Sequence, residues 1–225
     1  MPEALIFDFD GLILDTEVPV YEAWRKDFLA HGHDLDLRTY SQCVGSTFGQ
    51  FNPKHHLEHL VGNVINWSYL DENREREALE STHQLDPLPG IISLLTEAND
   101  ANIPCIVASS SPRSWVESHL KRLDLMHHFA GTRCLDDVKN AKPAPDLFLA
   151  ATEFLAVNPS RSIVLEDSFN GLNASIAAGI PCVIVPNKIT AHYEFEGAAI
   201  VLPSLEGFGL DYFEELIQKS PSRKS

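Results

Sequence analysis

The stretch Ala4-Leu5-Ile6-Phe7-Asp8-Phe9-Asp10-Gly11 decides how the rest of the chain is read. Ala4–Phe9 has the length and apolar character of a buried strand, and it stops where two acids and a glycine meet. Both acids therefore stand at the strand's C-terminal end, two residues apart, with side chains that start on one face of an extended chain. Working outward, Pro104–Ala108 reads as a second strand, closed by Ser109-Ser110-Ser111-Pro112, a loop suited to capping the next helix. Ser162–Leu165 reads as a third and also ends in acids, Glu166 and Asp167. Pro181–Val185 and Ile200–Leu202 extend the series, and Gly131–Leu135 adds a short strand. Helical spacing fills the intervals: Ile92, Leu95 and Ala98 mark one face of Pro89–Ala101, Trp115, Val116 and Leu120 one face of Pro112–Leu123, and Phe148, Leu149 and Leu155 one face of Pro145–Leu155. Strand and helix alternate from residue 89 onward. The expected fold is α/β, a Rossmann-like parallel-sheet core whose ligands bind beyond the carboxyl ends of the strands.

Between the first strand and Pro87-Leu88-Pro89-Gly90 lie roughly seventy residues, far too many for a plain connection. They carry helical spacing without strands. One helix bears Tyr21, Trp24, Phe28 and Leu29 and stops near Gly32; others cover Leu37–Val44, Asn52–Val61 and Trp67–Gln84. This predicts an α-helical cap domain, residues 16–87, inserted into a core made of residues 1–15 and 88–225. The tail from Lys219 is polar and expected to fray.

The 225 residues, 44% hydrophobic and 22% charged, describe a globular chain rather than a disordered one. No apolar run spans a bilayer, and the early acids leave no room for a signal peptide, so a cytoplasmic location is expected. A formal charge of −15 argues against nucleic acid and anionic membrane as partners, and any anionic substrate needs a local positive site. The expected partner is a small phosphorylated metabolite met by a monomer. Cys43, Cys105, Cys134 and Cys182 are widely spaced and read as reduced packing residues, three of them in strands.

Taken singly, the polar signals are ordinary. A DxD is a strand-end turn, Ser109 a helix cap, Lys142 before Pro143 a loop lysine, and Glu166-Asp167 a pair of acids opening a helix. Their joint occurrence at successive strand ends points instead to one phosphate site. Asp15 has two readings of equal weight, a cap on the helix entering the cap domain or a contact to substrate. His55, His56 and His59 have spacing that could hold zinc, but no glutamate sits between the last pair, and a polar cap surface is the simpler reading. Trp67 and Tyr69 read as packing within the cap.

Asp8-Phe9-Asp10-Gly11 with Asp15-Thr16, then Ser109, Lys142-Pro143 and Glu166-Asp167, resemble the haloacid dehalogenase superfamily. The likeness is to its phosphatase branch with a helical cap inserted after the first motif, and it runs from residue 4 to about 203. The resemblance implies that Asp8 attacks phosphorus and becomes an aspartyl-phosphate, which splits one displacement into two. It implies Mg²⁺ held by Asp8, the backbone carbonyl of Asp10 and Asp167, with Glu166 on the ion or one contact removed. Lys142 would set a fixed charge against phosphate, Ser109 and Ser110 would hold the transferring oxygens, and Gly11 would let the backbone approach. Asp10 would act as acid toward the leaving alkoxide and then as base toward water.

The dehalogenases and phosphonatases of the superfamily lack an aspartate at Asp10, so those chemistries are set aside. Sugar phosphomutases of the β-phosphoglucomutase type keep it, but add a histidine early in the first cap helix and an arginine in the cap's substrate loop. Here those places fall on Val20 and on Gly45-Ser46-Thr47-Phe48-Gly49-Gln50. Hydrolysis leads and the mutase reading follows. Thr16, Glu17, Gly45, Ser46 and Gln50 are the candidates for substrate discrimination, a neutral polar set suited to a sugar-like leaving group. A signalling receiver domain shares the aspartate, Mg²⁺, hydroxyl and lysine, but would not open on its phospho-acceptor strand or carry a large cap.

Overall fold

The computed structural model describes residues 1–44 and 51–219. Strands β1 (Ala4–Phe7), β2 (Cys105–Ala108), β3 (Gly131–Arg133), β4 (Ser162–Glu166), β5 (Cys182–Ile184) and β6 (Ile200–Val201) form one sheet in the order β3-β2-β1-β4-β5-β6. All pairings are parallel, with Phe7 opposite Val107 on one side and Leu165 on the other. The expected Rossmann-like core is found. In this order the strand sequence reverses between β1 and β4, which is where such sheets place their ligands.

Because side chains alternate across a strand, a sheet covered on both faces needs apolar residues at every position. Leu5 and Phe7 of β1 pack with Leu94 and Leu95 of helix α5 (Ile91–Asp100), Val116 and Leu120 of α6 (Arg113–Arg122) and Phe213 of α9 (Leu210–Lys219). Ile6 faces the opposite layer, with Phe148 of α7 (Asp146–Leu155) and Leu172 of α8 (Phe169–Ala178). Of the two helix faces expected to be buried, Leu95, Ala98 and Phe148 are fully buried and Leu155 packs on the core, but Ile92 and Leu149 are exposed. The stripes are completed instead by Ile91 and Leu94, and by Leu147 and Ala151. Apolar residues flank each stripe, so periodicity alone does not settle its edge, and sheet packing does.

The cap helices α1 (Glu17–Ala30), α2 (Leu37–Tyr40), α3 (Pro53–Val61) and α4 (Trp67–Thr82) gather around Tyr21, Trp24, Phe28, Leu35, Tyr40 and Leu57. Thr16 holds the N-cap position of α1 without a side-chain cap bond, and Asp15 Oδ1, one residue earlier, accepts from the Val18 amide at 3.4 Å, in line with the capping alternative of its two readings. Tyr69 and Leu29, read as packing residues, are exposed instead, while Trp67 meets Trp24 edge-on at 6.1 Å. The connections to the core are tied: the Leu88 amide donates to Ile13 O at 2.9 Å, and Arg122 donates to the Thr82 and Leu85 carbonyls. Cap meets core again where Asn170 Nδ2 donates to Val44 O at 2.8 Å and Ser41 Oγ lies 2.9 Å from Tyr193 OH. All four cysteines are buried free thiols, and Cys134 follows β3 rather than lying within it. Among the described residues no helix is long and apolar enough to cross a membrane.

Candidate active site

Asp8 directly follows β1 and Glu166 ends β4, the two strands that flank the reversal of strand order. Lys142, from the loop before α7, reaches between them. Its ammonium donates to Asp8 Oδ1 and, at 2.7 Å, to Glu166 Oε1, and it is almost fully buried. Glu166 Oε2 accepts from the Asp167 and Ser168 amides at 2.8 Å each and from Ser168 Oγ at 2.9 Å. Glu166 is therefore a fixed anchor for the lysine and for the turn into α8. Asp167 is held differently, by Asn187 Nδ2 at 2.7 Å on Oδ2.

Asp8, Glu166 and Asp167 each offer a carboxylate oxygen within 4.8 Å of the others, all buried. Three carboxylates face one ammonium, an excess of negative charge in a site that water barely reaches. Burial, followed for Asp167 by Glu166 and Asp8, pushes both aspartates well above the ordinary carboxylate range. At Asp8, Lys142 opposes that rise while Glu166 and Asp10 add to it. Burial alone would depress the Lys142 ammonium, but the Asp8 and Glu166 carboxylates override it and hold it above its usual range. A hard divalent cation with oxygen ligands would remove the imbalance, so the donor set fits Mg²⁺. Asp10's carboxylate is not part of this cluster. The histidines at 55, 56 and 59 form no such group among the described residues; His56 packs on Phe28 and Phe51.

Asp10 points to the other side of the site. Its Oδ1 accepts from Thr16 Oγ1 and Trp115 Nε1, both at 2.8 Å, and its Oδ2 from Ser111 Oγ at 2.6 Å and Ser109 Oγ at 3.3 Å. The Ser110 hydroxyl is buried with no hydrogen-bond partner among the described residues, a donor left free at the expected phosphate loop. Gly11 has φ +84°, and a Cβ there would lie 2.4 Å from Asp167 Oδ2 and 2.5 Å from Asn187 Nδ2. Its smallness lets the turn after β1 close against Asp167 of the acidic cluster. The sequence reading missed Asn187, Ser111's bond to Asp10 and the polar role of Trp115. Asn187 lies just past β5 and had a findable signal, since every strand end is a site position in this topology.

Gly171 gives a direct test of the anchor. A Cβ on it would sit 1.7 Å from Glu166 Oε1, and Glu166 is pinned by four donors. In a helix Gly→Ala normally stabilises by about 1 kcal/mol. Here Gly171→Ala is expected to destabilise by about 3–5 kcal/mol, the scale of a broken buried pair, in denaturant unfolding. Unchanged or raised stability would show that Glu166 is free to move.

The site opens into a cavity of about 680 Å³ between core and cap, within the range of small-molecule pockets. Thr16 and Glu17 line it near Asp10, and Val20, Trp24 and Tyr40 line its cap side. Burial, then Asp10 and Asp8, pushes the Glu17 carboxyl up to about 8. The cap cations are already paired: Lys54 with Asp71 at 2.5 Å, and Arg74 with Asp71 and with Asp27 at 2.9 Å while stacked 3.5 Å over Trp24. Gly45, Ser46 and Gln50 lie outside the described residues.

A parallel sheet with an inserted helical cap, bearing a buried aspartate, lysine and acid pair at its strand ends, defines an enzyme that works on phosphate through an aspartate and a metal-capable acidic cluster. The chain matches the haloacid dehalogenase-like hydrolase family over residues 5–185, and it belongs to that family. YhcW of Bacillus subtilis (strain 168) is 40% identical over 87% of this chain and 89% of its own length. Fructose-1-phosphate phosphatase YqaB of Escherichia coli (strain K12) is 32% identical over 80% of this chain and 95% of its own. Among solved structures, CbbY from Rhodobacter sphaeroides in complex with phosphate is 30% identical, with TM-score 0.74, covering 95% of this chain and 100% of that one. A β-phosphoglucomutase from Clostridium difficile is 27% identical with TM-score 0.75, covering 97% and 98%.

Proposed function

We propose that this chain hydrolyses a small, sugar-like phosphate monoester through an aspartyl-phosphate on Asp8. The supporting observation is the buried Asp8–Lys142–Glu166 chain beside Asp167, an anionic cluster one divalent cation short of balance. Asp8, Asp167 and Glu166 would hold Mg²⁺, which when bound would screen the approach of carboxylate to phosphate and orient the phosphoryl oxygens. A carboxylate oxygen of Asp8 attacks phosphorus, the bond to the ester oxygen breaks, and Asp10 gives that oxygen a proton. Ser109, Ser110 and Lys142 hold the transferring oxygens in place. Asp10 then takes a proton from water as the water oxygen attacks phosphorus, releasing inorganic phosphate and the Asp8 carboxylate. Residues 16–87 act as the cap over this chemistry.

The leaving group is uncharged and hydroxylated. Both cap cations at the cavity are engaged by acids, Glu75 adds a further acidic side chain to the lining, and no cation occurs in Gly45–Gln50 to receive a second phosphate. YqaB, whose name states a fructose-1-phosphate phosphatase, supports the same class. The similarity to β-phosphoglucomutase keeps phosphoryl return as a second reading, but Val20 lines the cavity at the place where the family resemblance puts the mutases' histidine. A panel of sugar monophosphates and bisphosphates, read by released phosphate beside a glucose-1-phosphate to glucose-6-phosphate assay, separates the two. Monophosphates are expected to be preferred at least about tenfold in kcat/KM, and substitutions at Ser46 or Gln50 to change that ranking more than hydrolysis of p-nitrophenyl phosphate. Isomerised product without free phosphate would overturn hydrolysis.

A further inference from the structure

A carboxylate has about four acceptor positions, and the Asp10 group has four donors on it: two hydroxyls on Oδ2, a hydroxyl and an indole N–H on Oδ1. Saturated in this way, it presents no free oxygen to a leaving group. The donors differ in kind. Ser109 and Ser111 come from the loop expected to bind phosphate, and a hydroxyl can rotate its hydrogen onto a new acceptor. The Trp115 indole offers one donor that cannot rotate away from a fixed ring.

That ring is firmly seated. Trp115 lies in the first turn of α6 and meets His119 edge-to-face, 4.4 Å between centroids at 72°. His119 is fully buried, both ring nitrogens lack hydrogen-bond partners among the described residues, and it packs in turn on Phe9 at 6.0 Å and His83 at 5.4 Å. Burial, then Arg122 and His83, lower its basicity against a smaller opposing effect of Asp10. Phe9 precedes Asp10 in sequence, so one packed cluster fixes both the backbone of Asp10 and the donor aimed at its carboxylate.

Resting on the hydrolase reading above, we infer that Trp115 is a positioning residue which, with Thr16, pins Oδ1 of Asp10, leaving Oδ2 as the oxygen that faces the leaving group once Ser109 and Ser111 turn to phosphate. Substrate binding then exchanges two donors while two remain, and the acid/base arrives pointed correctly without a search of its rotamers. Trp115 itself touches neither phosphorus nor the transferred proton.

The test uses leaving groups of different need. An alkyl phosphate such as glycerol-type or sugar esters requires protonation of its alkoxide; p-nitrophenyl phosphate leaves without it. Because kcat/KM covers the steps through leaving-group departure, Trp115→Phe, which keeps a ring on His119 but removes the N–H, is expected to lower kcat/KM for an alkyl phosphate about 10- to 100-fold, part of what general acid catalysis supplies. The loss for p-nitrophenyl phosphate is expected to be at least about tenfold smaller. Thr16→Val, which removes the other Oδ1 donor, should show the same bias, and Trp115→Phe should cost little more in an Asp10→Asn background. Equal losses on both esters, or full additivity with Asp10→Asn, would overturn the inference and leave the hydrolase reading standing. If the wild-type chain hydrolysed neither ester, the hydrolase reading itself would fall.

Discussion

Asp8→Asn is expected to abolish turnover, by on the order of 10⁴-fold or more, while the chain folds as before. The size follows from the chemistry: an amide oxygen is a poor nucleophile toward phosphorus, and neither Glu166 nor Asp10 is free to replace the lost carboxylate. Glu166 is held by Lys142 and three further donors, and Asp10 is saturated on the opposite side. Folding is retained because the substitution relieves charge. Burial already raises the Asp8 carboxyl, with Glu166 and Asp10 adding to it, and Lys142 keeps Glu166 as a partner at 2.7 Å. Two measurements belong together: steady-state hydrolysis of p-nitrophenyl phosphate, and acid-quenched capture of labelled phosphate on the protein. The wild-type chain should show covalent phosphate and the variant none. Hydrolysis by Asp8→Asn within about tenfold of wild type would remove Asp8 as the nucleophile and with it the proposed reaction.

Much of this arrangement was legible because a parallel sheet concentrates function at strand ends, and strand ends are where an apolar run meets acids, serines or glycine. Asp8, Ser109 and Glu166 were placed by that transition alone. Boundaries were less legible. Phe9, Leu12, Ile13 and Leu14 are all buried yet lie beyond β1, in turns bonded back to the Phe9 carbonyl. Hydrophobicity reports burial there, not extension. Helix α8 was read only as a helix opened by Glu166-Asp167, without bounds, because Gly171, Asn170 and Asn173 are poor helix formers; Ser168 caps it through the Gly171 amide, and the glycine is there because a Cβ would strike Glu166. Trp115 was read as an apolar face, which is half its role: the ring packs on His119 while its N–H reaches Asp10. Periodicity reports only the packing, since a tryptophan's polar tip leaves no trace in spacing.

Removing divalent cation is expected to lower the melting temperature by about 5–10 °C as well as stop hydrolysis. An ion held at about a hundred times its Kd contributes about 2.7 kcal/mol, and one kcal/mol moves the midpoint of a chain this size by about 2–4 °C. The pH dependence has a defined sign. With no ion bound, the raised Asp8 and Asp167 carboxyls bind more protons folded than unfolded, so their contribution is full below the unfolded value near 3.8 and is lost as pH rises through the raised folded values. The melting temperature in EDTA should therefore fall as pH rises above about 4. Mg²⁺ binds only the ionised carboxylates, so the gap between the Mg²⁺ and EDTA curves should widen with pH. Overall repulsion at net charge −15 also weakens the chain at high pH, and Asp167→Asn separates the two effects. That substitution should narrow the Mg²⁺-dependent gap and flatten the EDTA curve, because one of the three crowded carboxylates is gone while Asn187 and the fold around it remain. A melting temperature and hydrolysis rate both indifferent to EDTA across this pH range would mean that Lys142 alone balances the acids, and the cation would have no place in the site.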